Sequence, residues 1–170
     1  MDCSHLAECI QSIESTQDRY VECQMPQCLK SCDTRRIIVV EENKKRYALQ
    51  NSGDVIAVYR VDGQMIASAD RVKCDNMIVD VTSLLAVLVE LKGTNLRHAL
   101  SQIENTYNNV SLMLKRYRLY GRIVTSARTN VPNLKTDPQY MRIQKAFMKH
   151  GGNLRTRTNG ISECVDELNG

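Results

Sequence analysis

The apolar positions of this chain change period several times, and each change marks an element. In "SHLAECIQSIESTQDRYVECQ", Ser4 can cap a helix whose Leu6, Ile10 and Ile13 recur at helical spacing. That pattern predicts an N-terminal helix, continuing past Pro26 as a second short one. "RRIIVVEENKKRYALQNSG" predicts a hairpin, with a charged turn at Glu41 to Lys45 and a second strand ending in a turn at Asn51 to Gly53. "DVIAVYRVDGQMIA" predicts another strand pair about Asp62-Gly63, a strong two-residue turn signal.

Two further strands are expected at Asn76 to Val81 and Ala86 to Leu91, joined by a short turn. Beyond Gly93, Thr94 can cap a long helix in which Leu96, Ala99, Leu100, Ile103, Tyr107, Val110 and Leu114 keep the 3.6-residue period. "GRIVTSA" after Gly121 has the unbroken apolar start of a buried parallel strand. Asp137-Pro138 then opens a helix from Gln139 to His150, Gly151-Gly152 ends it, and "NLRTRT" predicts a late strand. The order is helix, antiparallel strands, then helix, strand, helix, strand. It predicts an α/β mixed sheet, an α+β arrangement with helices packed on its faces.

A length of 170 residues suits one domain spanning 1–170, with a helical, Cys-rich segment over 1–33 and a loose tail over 160–170. With 42% hydrophobic and 25% charged residues, the composition is that of a soluble globular chain. Met1 to Ile10 carries acidic and polar residues where a secretory signal would be basic and then apolar. No apolar run approaches the roughly 18 residues that span a bilayer. A cytoplasmic setting without a membrane partner is therefore expected. The net charge of +4 permits contact with a polyanion without requiring it. Five of the seven cysteines (Cys3, Cys9, Cys23, Cys28 and Cys32) crowd the first 32 residues. Their spacing lacks the paired CxxC knuckles of structural zinc sites, so packing within a reducing compartment explains them better.

One strand stands apart chemically. "LLAVLVELKGTN" is fit for a core, yet it carries Glu90 and Lys92 before breaking at Gly93. Residues two apart on a strand share a face. Upstream, Asp75 opens the preceding strand, and the fourteen residues between it and Glu90 are the length of one strand, a tight turn and most of the next. A hairpin would bring the two carboxylates and the ammonium to one spot. That oxygen-rich set suits Mg²⁺ or Mn²⁺, and the carbonyl of Leu91 offers a further ligand. A cation held there lowers the pKa of a bound water and offsets charge on a scissile phosphate, while Lys92 assists the water and offsets the paired carboxylates.

"CD", fourteen residues, "VELKG" and a following helix together resemble the catalytic hairpin of the PD-(D/E)xK nuclease superfamily, the restriction-endonuclease-like fold. The resemblance covers mainly Lys73 to about Ala127, with Cys74 in place of the proline and the strands from Arg35 to Ala67 added to the minimal core. It implies metal-binding roles for Asp75 and Glu90, a catalytic role for Lys92, and a helix polar residue at Gln102, with His98 one turn earlier on the same face. Glu8 and Glu14 are both candidates for the acid that many members carry on the first helix.

The implied activity is Mg²⁺-dependent phosphodiester hydrolysis of nucleic acid, first of all by a DNA endonuclease of restriction, phage defence or repair. A homodimer, or a subunit of a larger complex possessing an ATPase, would supply two active sites or a partner. The alternative is an inactive subunit of the same fold that binds DNA or a partner protein. Basic residues at His98, Lys115, Arg116, Arg118, Arg122, Arg128 and Arg155-Arg157 are candidates for phosphate contacts, with Tyr117 and Tyr120 interleaved. Other acids have plainer explanations: Glu42-Asn43-Lys44 repeats the E-x-K spacing in a solvated turn, Asp62 precedes Gly63 as a turn former, and Asp80 suits an exposed strand position.

Overall fold

The computed structural model describes residues 28–62, 65, 72–92, 94–126 and 134–169. Two sheets stack beneath a layer of helices. The larger has six strands in the order β1 (Leu29–Asp33), β4 (Ile56–Arg60), β5 (Asn76–Asp80), β6 (Leu85–Lys92), β7 (Arg118–Thr125) and β8 (Leu154–Thr158). Pairing is antiparallel from β1 to β6 and parallel from β6 to β8. The smaller sheet joins β2 (Ile37–Glu42), β3 (Lys45–Gln50) and β9 (Gly160–Cys164). Helices α1 (Leu96–Val110) and α2 (Pro138–Lys149) lie on one face of the large sheet, and the short α3 (Val165–Asn169) packs with the small sheet.

This layering explains the unbroken apolar runs. β5 and β6 are buried on both faces, so alternation between apolar and polar residues disappears from them. Met77, Val79, Ala86, Leu88 and Ile123 meet Leu100 and Ile103 of α1 and Phe147 of α2 in one core. Ile78, Val87, Val89, Leu91 and Val124 meet Ile38, Val40, Tyr47 and Leu49 of the small sheet in the other. Of β6 only Lys92, its last residue, is more than slightly exposed.

Most predicted elements form, with boundaries set by tertiary contacts. The β2–β3 hairpin turns at Asn43-Lys44, both with positive φ (48° and 63°), the two-residue geometry that matches strand twist. Asn95, not Thr94, caps α1, accepting a hydrogen bond from the His98 amide at 3.0 Å. Asp137 caps α2 as its Asp-Pro start predicts. β7 begins before Gly121, which lies inside the strand because the Phe147 ring and Leu154 fill the space a side chain would take.

Two expectations fail, and a third lies mostly outside the described residues. Of the strand pair predicted about Asp62-Gly63, β4 forms and pairs with β1 and β5, while Gly63, Gln64 and residues 66–71 lie outside the described residues; the Met65 amide donates to the Val61 carbonyl. The segment over 1–33 is not wholly helical, since 29–33 form β1; the helix predicted from Ser4 lies outside the described residues. The expected loose tail over 160–170 instead contributes β9 and α3, because Ile161, Val165 and Leu168 bury apolar area that the core under the large sheet needs.

The turn from α2 into β8 has no room for a side chain at Gly152, where a Cβ would stand 1.8 Å from the Leu119 carbonyl oxygen. Gly152→Ala is therefore expected to cost about 3 kcal/mol or more in urea denaturation, with Gly53→Ala costing less; equal stabilities for the two variants would contradict this packing.

Candidate active site

The β5–β6 register pairs Asn76 with Val89, so the next step sets Asp75 opposite Glu90. Opposed residues of an antiparallel pair share a face. Glu90 and Lys92 thus face the helix side of the sheet, at the end where β6 runs into α1, with Asp75 beside Glu90 at the start of β5. The ladder breaks at that point. Its next rung would join Leu91 to Cys74, but the Leu91 amide donates to Asp75 Oδ2 at 2.7 Å, and the Cys74 amide donates to Thr106 Oγ1 at 2.9 Å. The Leu91 carbonyl lies on the same strand edge as its amide and so loses its ladder donor.

α1 holds this end in place. Thr106 Oγ1 also donates to the Gln102 carbonyl, and Gln102 Nε2 donates to the Lys73 carbonyl at 2.8 Å. The helix therefore grips the two residues that lead into Asp75. Gln102 is buried, and its Oε1 has no hydrogen-bond partner.

Glu90 is the most unusual group. Its side chain is 0% exposed, Lys92 Nζ stands 3.7 Å from Oε1, and no hydrogen bond of good geometry reaches either carboxylate oxygen, the Asp75 amide being the backbone donor beside it. A buried ionised carboxylate without bonded donors is costly. Burial first, and then the charge of Asp75, push the Glu90 carboxyl up to about 9, against the pull of Lys92 and of the Asp75 backbone amide. Burial likewise raises Asp75, with the charges of Glu42 and Asp62 adding and the Leu91 amide and Lys92 opposing.

Outside this pair a polar cavity of about 350 Å³ opens. Asp75 and Asn76 form its floor, Glu41 and Glu42 come from β2, and Asp62 follows β4. Lys30 of β1 and Arg60 of β4 are its basic residues. Sequence reasoning passed over Glu42 and Asp62 as turn residues. The signal that would have found them is the folding of β2 across the end of the large sheet, which local spacing does not encode.

Two carboxylates and a carbonyl are the ligands available here; among the described residues no three His, Cys, Asp or Glu side chains stand close enough together to hold an ion. The set fits a hard cation that keeps several waters, because the two Glu90 oxygens are buried and lack a well-formed hydrogen bond. No disulfide joins Cys28, Cys32, Cys74 or Cys164 among the described residues, while Cys3, Cys9 and Cys23 lie outside them, as do Glu8 and Glu14.

Most of the expected basic surface is not at this site. Arg122 is completely buried on the opposite face of the sheet, bonded to Glu163 at 2.6 Å and to the Asn153 carbonyl, so it cannot meet a nucleic acid. Arg118 pairs in register with Leu85, at the far end of β6, and donates to the Leu168 carbonyl. Lys115 and Arg116 follow α1, whose 15 residues carry them about 22 Å from its start beside Lys92. Arg128 lies outside the described residues. Arg155 is bonded to Glu163, whereas Arg157, exposed and in register through Val124 with Leu91, and His98, half-buried in the first turn of α1, are the members of that set at the site's end of the sheet. Asp80 is buried, not exposed, because its Oδ1 accepts from the Thr82 and Ser83 amides to close the β5–β6 turn.

Comparison with protein-family models, with curated proteins and with solved structures finds no match. No helix among the described residues is long and apolar enough to cross a membrane.

The Glu90 shift fixes a pH dependence. Below its ordinary value of 4.5 the carboxyl is protonated in both folded and unfolded chains. Between 4.5 and about 9 the unfolded chain releases a proton that the fold retains, so stability declines as pH rises through that window and levels off above it. Urea denaturation of wild type and Glu90→Gln is expected to show the variant gaining on wild type across this range; a gap constant with pH would contradict the buried, protonated Glu90.

Proposed function

We propose that the protein is a metal-dependent nuclease that hydrolyses phosphodiester bonds of nucleic acid, with duplex DNA as substrate and Mg²⁺ or Mn²⁺ as cofactor. The observation that carries this reading is the pair of buried Glu90 oxygens without a well-formed hydrogen bond, set opposite Asp75 and 3.7 Å from the Lys92 ammonium. A purely structural ion pair buried to this depth would be expected to satisfy its carboxylate with hydrogen bonds. The resemblance of these residues to the PD-(D/E)xK hairpin supports the same chemistry.

Asp75, Glu90 and the Leu91 carbonyl would hold the cation. When bound there, it would lower the pKa of a water and offset charge growing on the scissile phosphate. Glu90 would have to give up its proton to act as a ligand, so a cation would be held more tightly as pH rises. Lys92, held by Glu90 with its ammonium partly exposed, orients the attacking water and stabilises negative charge on the phosphate. Gln102 anchors the approach to Asp75 through Lys73 and keeps Oε1 free to accept from a water. Cleavage of both strands needs two such sites, which a homodimer or a larger complex would provide. Restriction, phage defence and repair are the settings that use this reaction.

Plasmid nicking in Mg²⁺ or Mn²⁺ tests the reading. Wild type is expected to nick, and Glu90→Ala and Lys92→Ala to lose about 100-fold or more of the rate. Equal cleavage by all three proteins would contradict the assignment. DNA binding by a wild type that never cuts would favour a non-catalytic subunit of the same fold.

A further inference from the structure

The displaced basic surface leaves open how a polyanion would reach a site ringed by acids. The β1–β4 edge supplies the answer. The β1–β4 register pairs Leu29 with Tyr59 but Ser31 with Val58, so Lys30 is the extra residue of a β-bulge. A bulge re-aims its side chain. Here it sends the Lys30 ammonium across β4 to Asn76 of β5, 2.9 Å from Oδ1. Arg60 ends β4 directly opposite Asn76 and is exposed. Both cations therefore stand at the cavity that Asp75 floors, one residue along the chain from Asn76.

We infer that Lys30 and Arg60 form a phosphate clamp, which holds the DNA backbone in the cavity beside Asp75 and leads the strand over the β1–β4 edge. Lys and Arg can only donate, and phosphate oxygens only accept, so the pairing is one-sided and charge-assisted. Four carboxylates (Glu41, Glu42, Asp62 and Asp75) share the cavity with these two bases. Their surplus negative charge repels a phosphate until a cation is loaded. DNA capture through the clamp is accordingly dependent on divalent cation. Arg60 and Lys30 position the substrate; they perform no bond-making. The inference rests on the nuclease reading and names its substrate-positioning residues.

The test uses fluorescence anisotropy of a short fluorescein-labelled DNA duplex in Mg²⁺, on a Lys92→Ala protein that binds without cutting. Adding Arg60→Ala or Lys30→Ala is expected to weaken binding about fivefold and to lower the slope of log K against log salt by about 1. Arg60→Lys is expected to keep the slope, and Lys115→Ala, at the far end of α1, to leave affinity and slope unchanged. EDTA is expected to abolish the clamp-dependent part. Unchanged slopes in both clamp variants, a slope lost in Lys115→Ala alone, binding indifferent to EDTA, or no binding by the Lys92→Ala parent would each overturn the clamp. If wild type nicks plasmid while the clamp variants bind normally, the clamp falls and the nuclease reading stands. If the clamp variants lose their slope while no protein nicks, the nuclease reading falls and the clamp stands.

Discussion

A single displaced hydrogen bond organises the site: the Leu91 amide, due to Cys74 in a regular antiparallel ladder, is taken instead by the Asp75 carboxylate. That exchange makes β5 start at Asn76 and fixes Asp75 against β6. It also opens the backbone at the point where Glu90 is sealed beneath α1. Thr106 completes it by taking the Cys74 amide, so that no backbone donor is stranded in the core. Without these two side-chain bonds the ladder would close, and the Leu91 carbonyl would be used up within it.

The layers on either side make the arrangement costly and therefore informative. Buried on both faces, β6 has no solvent to hydrate Glu90, and its neighbour Asp75 adds a second negative charge. The fold tolerates this by keeping Glu90 protonated and by placing Lys92 at the strand's exposed end. Buried polar groups elsewhere are treated differently. Glu163 in the other core is met by Arg122, Arg155 and the Tyr47 hydroxyl, and Asp80 closes a turn through one of its oxygens. Of these three buried carboxylates, Glu90 alone has neither oxygen in a well-formed hydrogen bond.

Much of the hairpin was legible in the chain because its determinants are local. Strand length, the turn between β5 and β6 and the period-two placement of Glu90 and Lys92 all follow from spacing within eighteen residues, Asp75 to Lys92. What could not be read depends on contacts between distant segments. Arg122 looks like a surface base until β9 brings Glu163 beneath it, 41 residues later in the chain. Glu42 looks like a solvated turn residue until β2 folds over the sheet end and places it at the cavity with Asp75. The tail looks loose because β9 alternates weakly; its pairing with β3 in parallel is a non-local choice that no turn signal announces.

The central claim is that Asp75 and Glu90 form a cation site and that Glu90 is not merely half of a structural ion pair with Lys92. Electron paramagnetic resonance of Mn²⁺ titrated into the protein measures this directly, since bound Mn²⁺ leaves the sharp signal of the free ion. Wild type should take up one Mn²⁺ per chain, more tightly as pH rises, and the near-isosteric Glu90→Gln should stay folded and lose that uptake. No uptake by wild type, or equal uptake by both proteins, would contradict the account.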